Sequence, residues 1–190
     1  MAQELTRVRP AGRADLPRIL SIYNHEVLSS TATYDTQPRT DDEQEKWFSH
    51  HDDSHPVIVA AANMRHSAAA NMRHSAAANM RHSAESQSVV YGWASLSPWS
   101  DRPAYDSSVE VSVYVAEEHR GKGVGKQLLQ ALIEAGRARG HHALLGRISS
   151  DNTVSIRLHE ALGFSVVGVL KEVGFKFGRW LDVSIMELIL

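Results

Sequence analysis

Cysteine is missing from all 190 residues, which excludes disulfides, thiolate metal ligands and a cysteine-bound acyl intermediate. No apolar run is long enough to cross a bilayer as a helix. The opening Met1-Ala2-Gln3-Glu4-Leu5-Thr6-Arg7-Val8 also lacks the basic start and apolar stretch of a secretory signal. The expectation is a cytoplasmic protein with no membrane partner. Charge of one sign is lacking too: Lys plus Arg number 20 against 22 Asp plus Glu, for a net charge of -2. That balance gives no electrostatic ground for a nucleic-acid partner. With 43% hydrophobic residues, the chain is sized for one domain over residues 1–190 that buries most of its surface.

Periodicity predicts an alternation of strands and helices. Thr6 to Arg9 reads as a first strand, followed by a helix from Asp15-Leu16-Pro17 that carries Leu16, Ile19, Leu20, Tyr23 and Val27 on one side. Thr40-Asp41-Asp42-Glu43 reads as a capping box opening a second helix. Val57 to Ala60 and Val89 to Ser95 read as neighbouring strands. In Ser108 to Val115 the odd-numbered valines fall on one face and Glu110, Ser112 and Tyr114 on the other, the pattern of a central strand. Val124, Leu128, Leu129, Leu132 and Ile133 give the next helix its buried side. Ala143 to Ile148 is a further strand, Asp151 or Asn152 caps a short helix, and Val166 to Glu172 and Leu181 to Leu190 supply the last strands. The fold class is α/β, a mixed sheet with helices on both faces.

Between the second and third strands, residues 61–84 are three perfect copies of Ala-Ala-Asn-Met-Arg-His-Ser-Ala. Eight residues advance a helix about 80° past two turns, so the methionines drift around its surface and form no stripe. Solenoid units are longer, and His66, His74 and His82 lack companion ligands. The expectation is a repetitive loop insertion, Ala-rich helix or disorder, that leaves the domain intact. No metal site is expected here, nor at His50-His51 or His141-His142, which read as solvent residues.

The segment Arg120-Gly121-Lys122-Gly123-Val124-Gly125-Lys126 joins the central strand to a helix. Glycines there let the backbone approach a ligand, and the unpaired N–H groups and dipole of a helix start attract phosphate. The spacing is neither Gly-x-x-x-x-Gly-Lys-Ser/Thr nor Gly-x-Gly-x-x-Gly. It matches Gln/Arg-x-x-Gly-x-Gly/Ala, the turn of the GNAT superfamily of N-acetyltransferases, and the chain resembles that superfamily. Tyr23-Asn24-His25, Pro98-Trp99, Ala104-Tyr105-Asp106, Arg157-Leu158-His159-Glu160-Ala161-Leu162-Gly163-Phe164 and Gly174-Phe175-Lys176 extend the resemblance to the phosphinothricin and methionine sulfoximine acetyltransferase branch.

The resemblance implies the GNAT fold and acetyl-CoA as co-substrate, with no metal. Val113, Tyr114 and Val115 would lie along the pantetheine arm. Arg120, Gly121, Lys122, Gly123, Val124, Gly125 and Lys126 would wrap the pyrophosphate, and Asn152 would touch the cofactor or cap a helix, or both. Glu110, a lone carboxylate in a valine-rich strand, suits a general base because partial burial raises its pKa. His159 stands where many members carry a tyrosine serving the leaving thiolate, and the roles of Glu110 and His159 can be exchanged. Tyr34, Trp99, Arg102 and Tyr105 would form the acceptor pocket, with Lys176 and Arg179 as further cations; the branch often has phenylalanine in place of Tyr34. The expected reaction is direct acetyl transfer to the α-amine of a small amino-acid-like acceptor, by a homodimer. Alternatives are a protein N-terminus or polyamine as acceptor, or a CoA-binding sensor without turnover.

Overall fold

In a computed structural model, which describes residues 6–63 and 88–190, the valine alternation of Ser108–Val115 becomes the middle strand of a seven-stranded sheet. In chain order the elements are β1 (Arg7–Pro10), α1 (Leu16–Ser29), α2 (Asp41–Ser49), β2 (Val57–Asn63), β3 (Ser88–Pro98), β4 (Ser108–Val115), α3 (Val124–Ala138), β5 (Ala143–Ser149), α4 (Thr153–Glu160), β6 (Ser165–Lys176) and β7 (Arg179–Ile189). The sheet order is β1-β2-β3-β4-β5-β7-β6. Every neighbouring pair is antiparallel except β4 with β5. The mixed sheet expected from the sequence is therefore present.

Each face of the sheet has its own core, because strand residues alternate between faces. Ile58, Leu96, Val109, Val111 and Leu144 pack against Val124, Leu128, Leu129, Leu132 and Ile133 of α3. Burying aliphatic side chains of this size contributes about 1.5–3 kcal/mol each. On the opposite face Val57, Val59 and Trp93 meet Leu16, Ile19, Ile22, Tyr23 and Val27 of α1. The capping box of α2 forms as expected: Glu43 N donates to Thr40 Oγ1, and Thr40 N donates to Glu43 Oε2 at 2.8 Å.

Two expectations change. The second strand does not stop at Ala60: Ala61, Ala62 and Asn63 pair with Val90, Val89 and Ser88, so the repeat's first residues belong to β2. Ala61 and Ala62 enter opposite cores at 5% and 4% exposure, and that packing overrides alanine's weak strand preference. The rest of the repeat lies outside the described residues. Of the histidine pairs, His51 and His141 are half-buried and held by backbone carbonyls. His51 Nδ1 donates to Trp47 O at 2.8 Å, and His141 Nε2 donates to Ser54 O at 2.8 Å. Among the described residues no helix is long and apolar enough to cross a membrane.

Candidate active site

The β4–β5 ladder has only Ser108–Ala143, Val109–Leu144 and Glu110–Leu145 as partners, and beyond it the strands part. Ala116 N donates to Tyr91 O and Trp99 N to Ser108 O, and antiparallel bonds recur at alternate residues. The amides of Glu110, Ser112 and Tyr114 therefore face β3. Those of Val113 and Val115 turn toward the opening, where β5 no longer meets them.

Three cavities converge on this gap. The first, of about 570 Å³, runs along the mouth of α3 and is lined by Val113, Tyr114, Val115, Arg120, Gly121, Gly123, Val124, Gly125, Lys126 and Asn152. Gly121 and Gly123 have φ of +71° and +81°, a left-handed conformation that side chains resist. Gly123 caps α3 without a side-chain bond, leaving the first helical amides to a ligand. A Cβ on Gly125 would come within 3.3 Å of Leu158 Cδ2, so glycine also lets α3 and α4 approach closely. Arg120 binds the Glu26 carboxylate, and its Nε donates to Val115 O at 3.2 Å, which ties the turn to α1 and β4. Lys122 does not line this cavity; its Nζ donates to Glu118 O at 2.8 Å. Asn152 lines the cavity, and its Oδ1 caps α4 by accepting from Ser155 N at 3.1 Å.

The second cavity, of about 380 Å³, occupies the gap itself and brings Glu110 and His159 together with Tyr23, Tyr34, Asp35, Arg147 and Ser149. Burial raises the Glu110 carboxyl above its ordinary range, although Arg147 opposes the rise with Nη2 at 3.1 Å from Oε2. His159 is 4% exposed, and burial holds its pKa below the usual value. Its Nδ1 lies 2.8 Å from Ser155 O, and a carbonyl only accepts, so Nδ1 carries the hydrogen. That leaves Nε2 bare. It rests over Gly146 of β5, where a Cβ would sit 3.6 Å from it.

The third cavity, of about 780 Å³, is walled by Tyr34, Trp99, Arg102, Tyr105 and Arg147 with Leu170, Val173 and Gly174 of β6. All four residues expected from the resemblance meet here. Lys176 and Arg179 do not line it. Lys176 is buried and donates to Thr33 O at 2.8 Å, while Arg179 binds Asp151. Sequence reasoning passed over Arg147, whose guanidinium stacks 4.5 Å from the Trp99 ring centroid and reaches Glu110. Its signal was the one that exposed Glu110: a lone charge in an otherwise apolar strand, Ala143–Ser149.

Comparison with known proteins agrees with this geometry. The model of the acetyltransferase (GNAT) family matches residues 19–164. The chain is 39% identical over 182 residues to L-methionine sulfoximine/L-methionine sulfone acetyltransferase from Pseudomonas paraeruginosa, covering 95% of this chain and 92% of the relative. It is 36% identical to phosphinothricin N-acetyltransferase from Streptomyces coelicolor, covering 95% and 94%. The crystal structure of a phosphinothricin acetyltransferase from Sinorhizobium meliloti in complex with acetyl-CoA superposes with a TM-score of 0.82 at 34% identity, over 97% of this chain and 88% of that one. A splayed mixed sheet, an uncapped glycine-rich helix start and relatives matched along nearly their whole length lead to one assignment: the chain belongs to the GNAT family of acetyltransferases.

Proposed function

We propose that the protein transfers acetyl from acetyl-CoA to the α-amine of a small amino-acid-like acceptor, of the methionine sulfone, methionine sulfoximine or phosphinothricin type, by direct attack. The observation that carries this reading is the junction of the arginine-lined third cavity with the carboxylate-bearing gap. An acceptor held there by its acid group presents its amine to Glu110.

The residues of the first cavity fit the coenzyme: positive-φ glycines and free helix amides suit a diphosphate, and Val113 to Val115 suit a pantetheine arm. Bound acetyl-CoA supplies an activated acyl group and a thiolate leaving group. The N–H of Val113 or Val115 meets the developing oxyanion, which a fixed amide stabilises without reorganisation. Glu110 takes the first proton of the incoming ammonium. His159, neutral with a bare Nε2, accepts the second nitrogen proton once the C–N bond forms and returns one to sulfur as the C–S bond breaks. It cannot begin as the acid, because its only hydrogen is held by Ser155.

Arg102 and Arg147 disfavour a polyamine, whose charge they would repel. The apolar outer face of β6 supports a homodimer, and use of acetyl-CoA supports action in the cytoplasm. A thiol-release assay with acetyl-CoA tests the reading against methionine sulfone, methionine sulfoximine, phosphinothricin, spermidine and a short peptide. Turnover of the first three above the others is expected; a preference for spermidine or the peptide moves the acceptor class, and absence of turnover on all five leaves the sensor.

A further inference from the structure

Three buried side-chain polar atoms among the described residues have no hydrogen-bond partner: Tyr34 Oη, Gln44 Nε2 and Trp93 Nε1. A buried donor left unpaired is costly, so each asks what satisfies it. Gln44 and Trp93 line neither the gap nor the third cavity. Tyr34 lines both, and among the described residues the only other one common to the two linings is Arg147.

The position of Tyr34 is imposed from several sides. Thr33, its neighbour, accepts from Lys176 Nζ through its carbonyl at 2.8 Å and meets Tyr23 Oη through its hydroxyl at 2.9 Å. On its other flank the ring rests on Gly174, where a Cβ would stand 3.5 Å from Tyr34 Cδ1. The phenol keeps its proton, its pKa pushed up to about 12 by burial and by the nearby Asp151 and Glu110 carboxylates. A fixed, neutral, unsatisfied donor and a guanidinium thus line both cavities where they meet.

A carboxylate answers both groups, because it has an oxygen for each and a charge for the arginine. In an α-amino acid the amine and the carboxylate share one carbon. An acceptor with its acid group at the neck therefore directs its nitrogen into the gap lined by Glu110. Resting on the function proposed above, we infer that Tyr34 Oη donates a hydrogen bond to the α-carboxylate of the acceptor beside Arg147, which makes Tyr34 a specificity-determining residue for amino acids over amines that lack the carboxyl group. Where a related enzyme has phenylalanine this donor is lost, and the discrimination rests on the arginines alone.

The test measures kcat/KM for L-methionine sulfone and for 3-(methylsulfonyl)propylamine, its decarboxylated counterpart, with wild type and Tyr34→Phe. Tyr34→Phe should lose about 10–100-fold on the amino acid, mainly in KM, and change little on the decarboxylated amine, so that the preference for the amino acid narrows. Its melting temperature should not fall, since an unpaired donor has been removed, and the thermal shift on adding acetyl-CoA should persist. An equal loss on both acceptors would mean that Tyr34 supports the fold or the amine, and an undiminished rate on the acid would mean that it makes no such bond; either overturns the inference while the reaction stands. If wild type acetylates neither compound, the proposed function fails, and this inference with it.

Discussion

Glu110 shows how a single carboxylate acquires its chemistry from its surroundings. It lies in the gap beside β5, and desolvation there outweighs the opposing pull of Arg147, so it holds its proton more tightly than an exposed glutamate. Its folded pKa therefore lies above its ordinary value of 4.5. The sign follows: the stability linked to this group is full below 4.5 and is lost as pH rises through the elevated folded value. Glu110→Gln, which keeps the neutral shape, should then be no less stable than wild type at pH 8 and should bind acetyl-CoA as well. It should turn over about 10²–10⁴-fold more slowly. In wild type kcat/KM should rise as pH climbs through the Glu110 titration, and in the variant that limb should vanish. Coincident pH profiles for the two proteins would reject the base assignment.

At the scale of elements, the first turn of α3 and the gap beside β4 depend on local and distant sequence in different ways. Gly123 must hold φ +81° where the turn becomes helix, a conformation a β-branched side chain resists, so a substitution there shifts the turn that positions the free amides. Gly123→Val should abolish the rise in melting temperature that acetyl-CoA gives the wild type; a retained shift would place the diphosphate elsewhere. Such features were legible because they are local. The alternation of Ser108–Val115, the capping box at Thr40 and the glycine turn each state their geometry within about eight residues. Long-range consequences were not legible. Nothing in Ala143–Ser149 taken by itself says that its ladder with β4 ends at Leu145, yet that ending opens the gap. The extent of β6 was also underestimated: it runs on to Lys176, beyond the expected Glu172, because Phe177 and Gly178 form a two-residue turn at φ +51° and +73°. That extension carries Lys176 to Thr33, a contact across 143 residues which no periodicity encodes.

At the scale of the whole molecule, nothing among the described residues covers one hairpin. β6 is an edge strand, and Val167, Val169, Leu170, Val173, Phe175 and Trp180 of the β6–β7 arm are 42–60% exposed. An apolar edge of this length invites pairing with other chains unless something covers it. The homodimer proposed above would cover it with a second copy of this chain. Leu170 and Val173 also wall the third cavity, so a partner seated on the arm would narrow the acceptor's mouth while leaving the α3 cleft untouched. Two measurements follow from that arrangement. In sedimentation equilibrium the protein should weigh twice the 21.0 kDa of one chain, and Val167→Glu combined with Phe175→Glu should bring it to a single chain. The monomeric variant should keep the acetyl-CoA thermal shift and show a KM for the acceptor raised several-fold. A wild type that sediments as one chain would leave the arm without its proposed cover, and a variant that dissociates with an unchanged acceptor KM would separate assembly from the shape of the pocket.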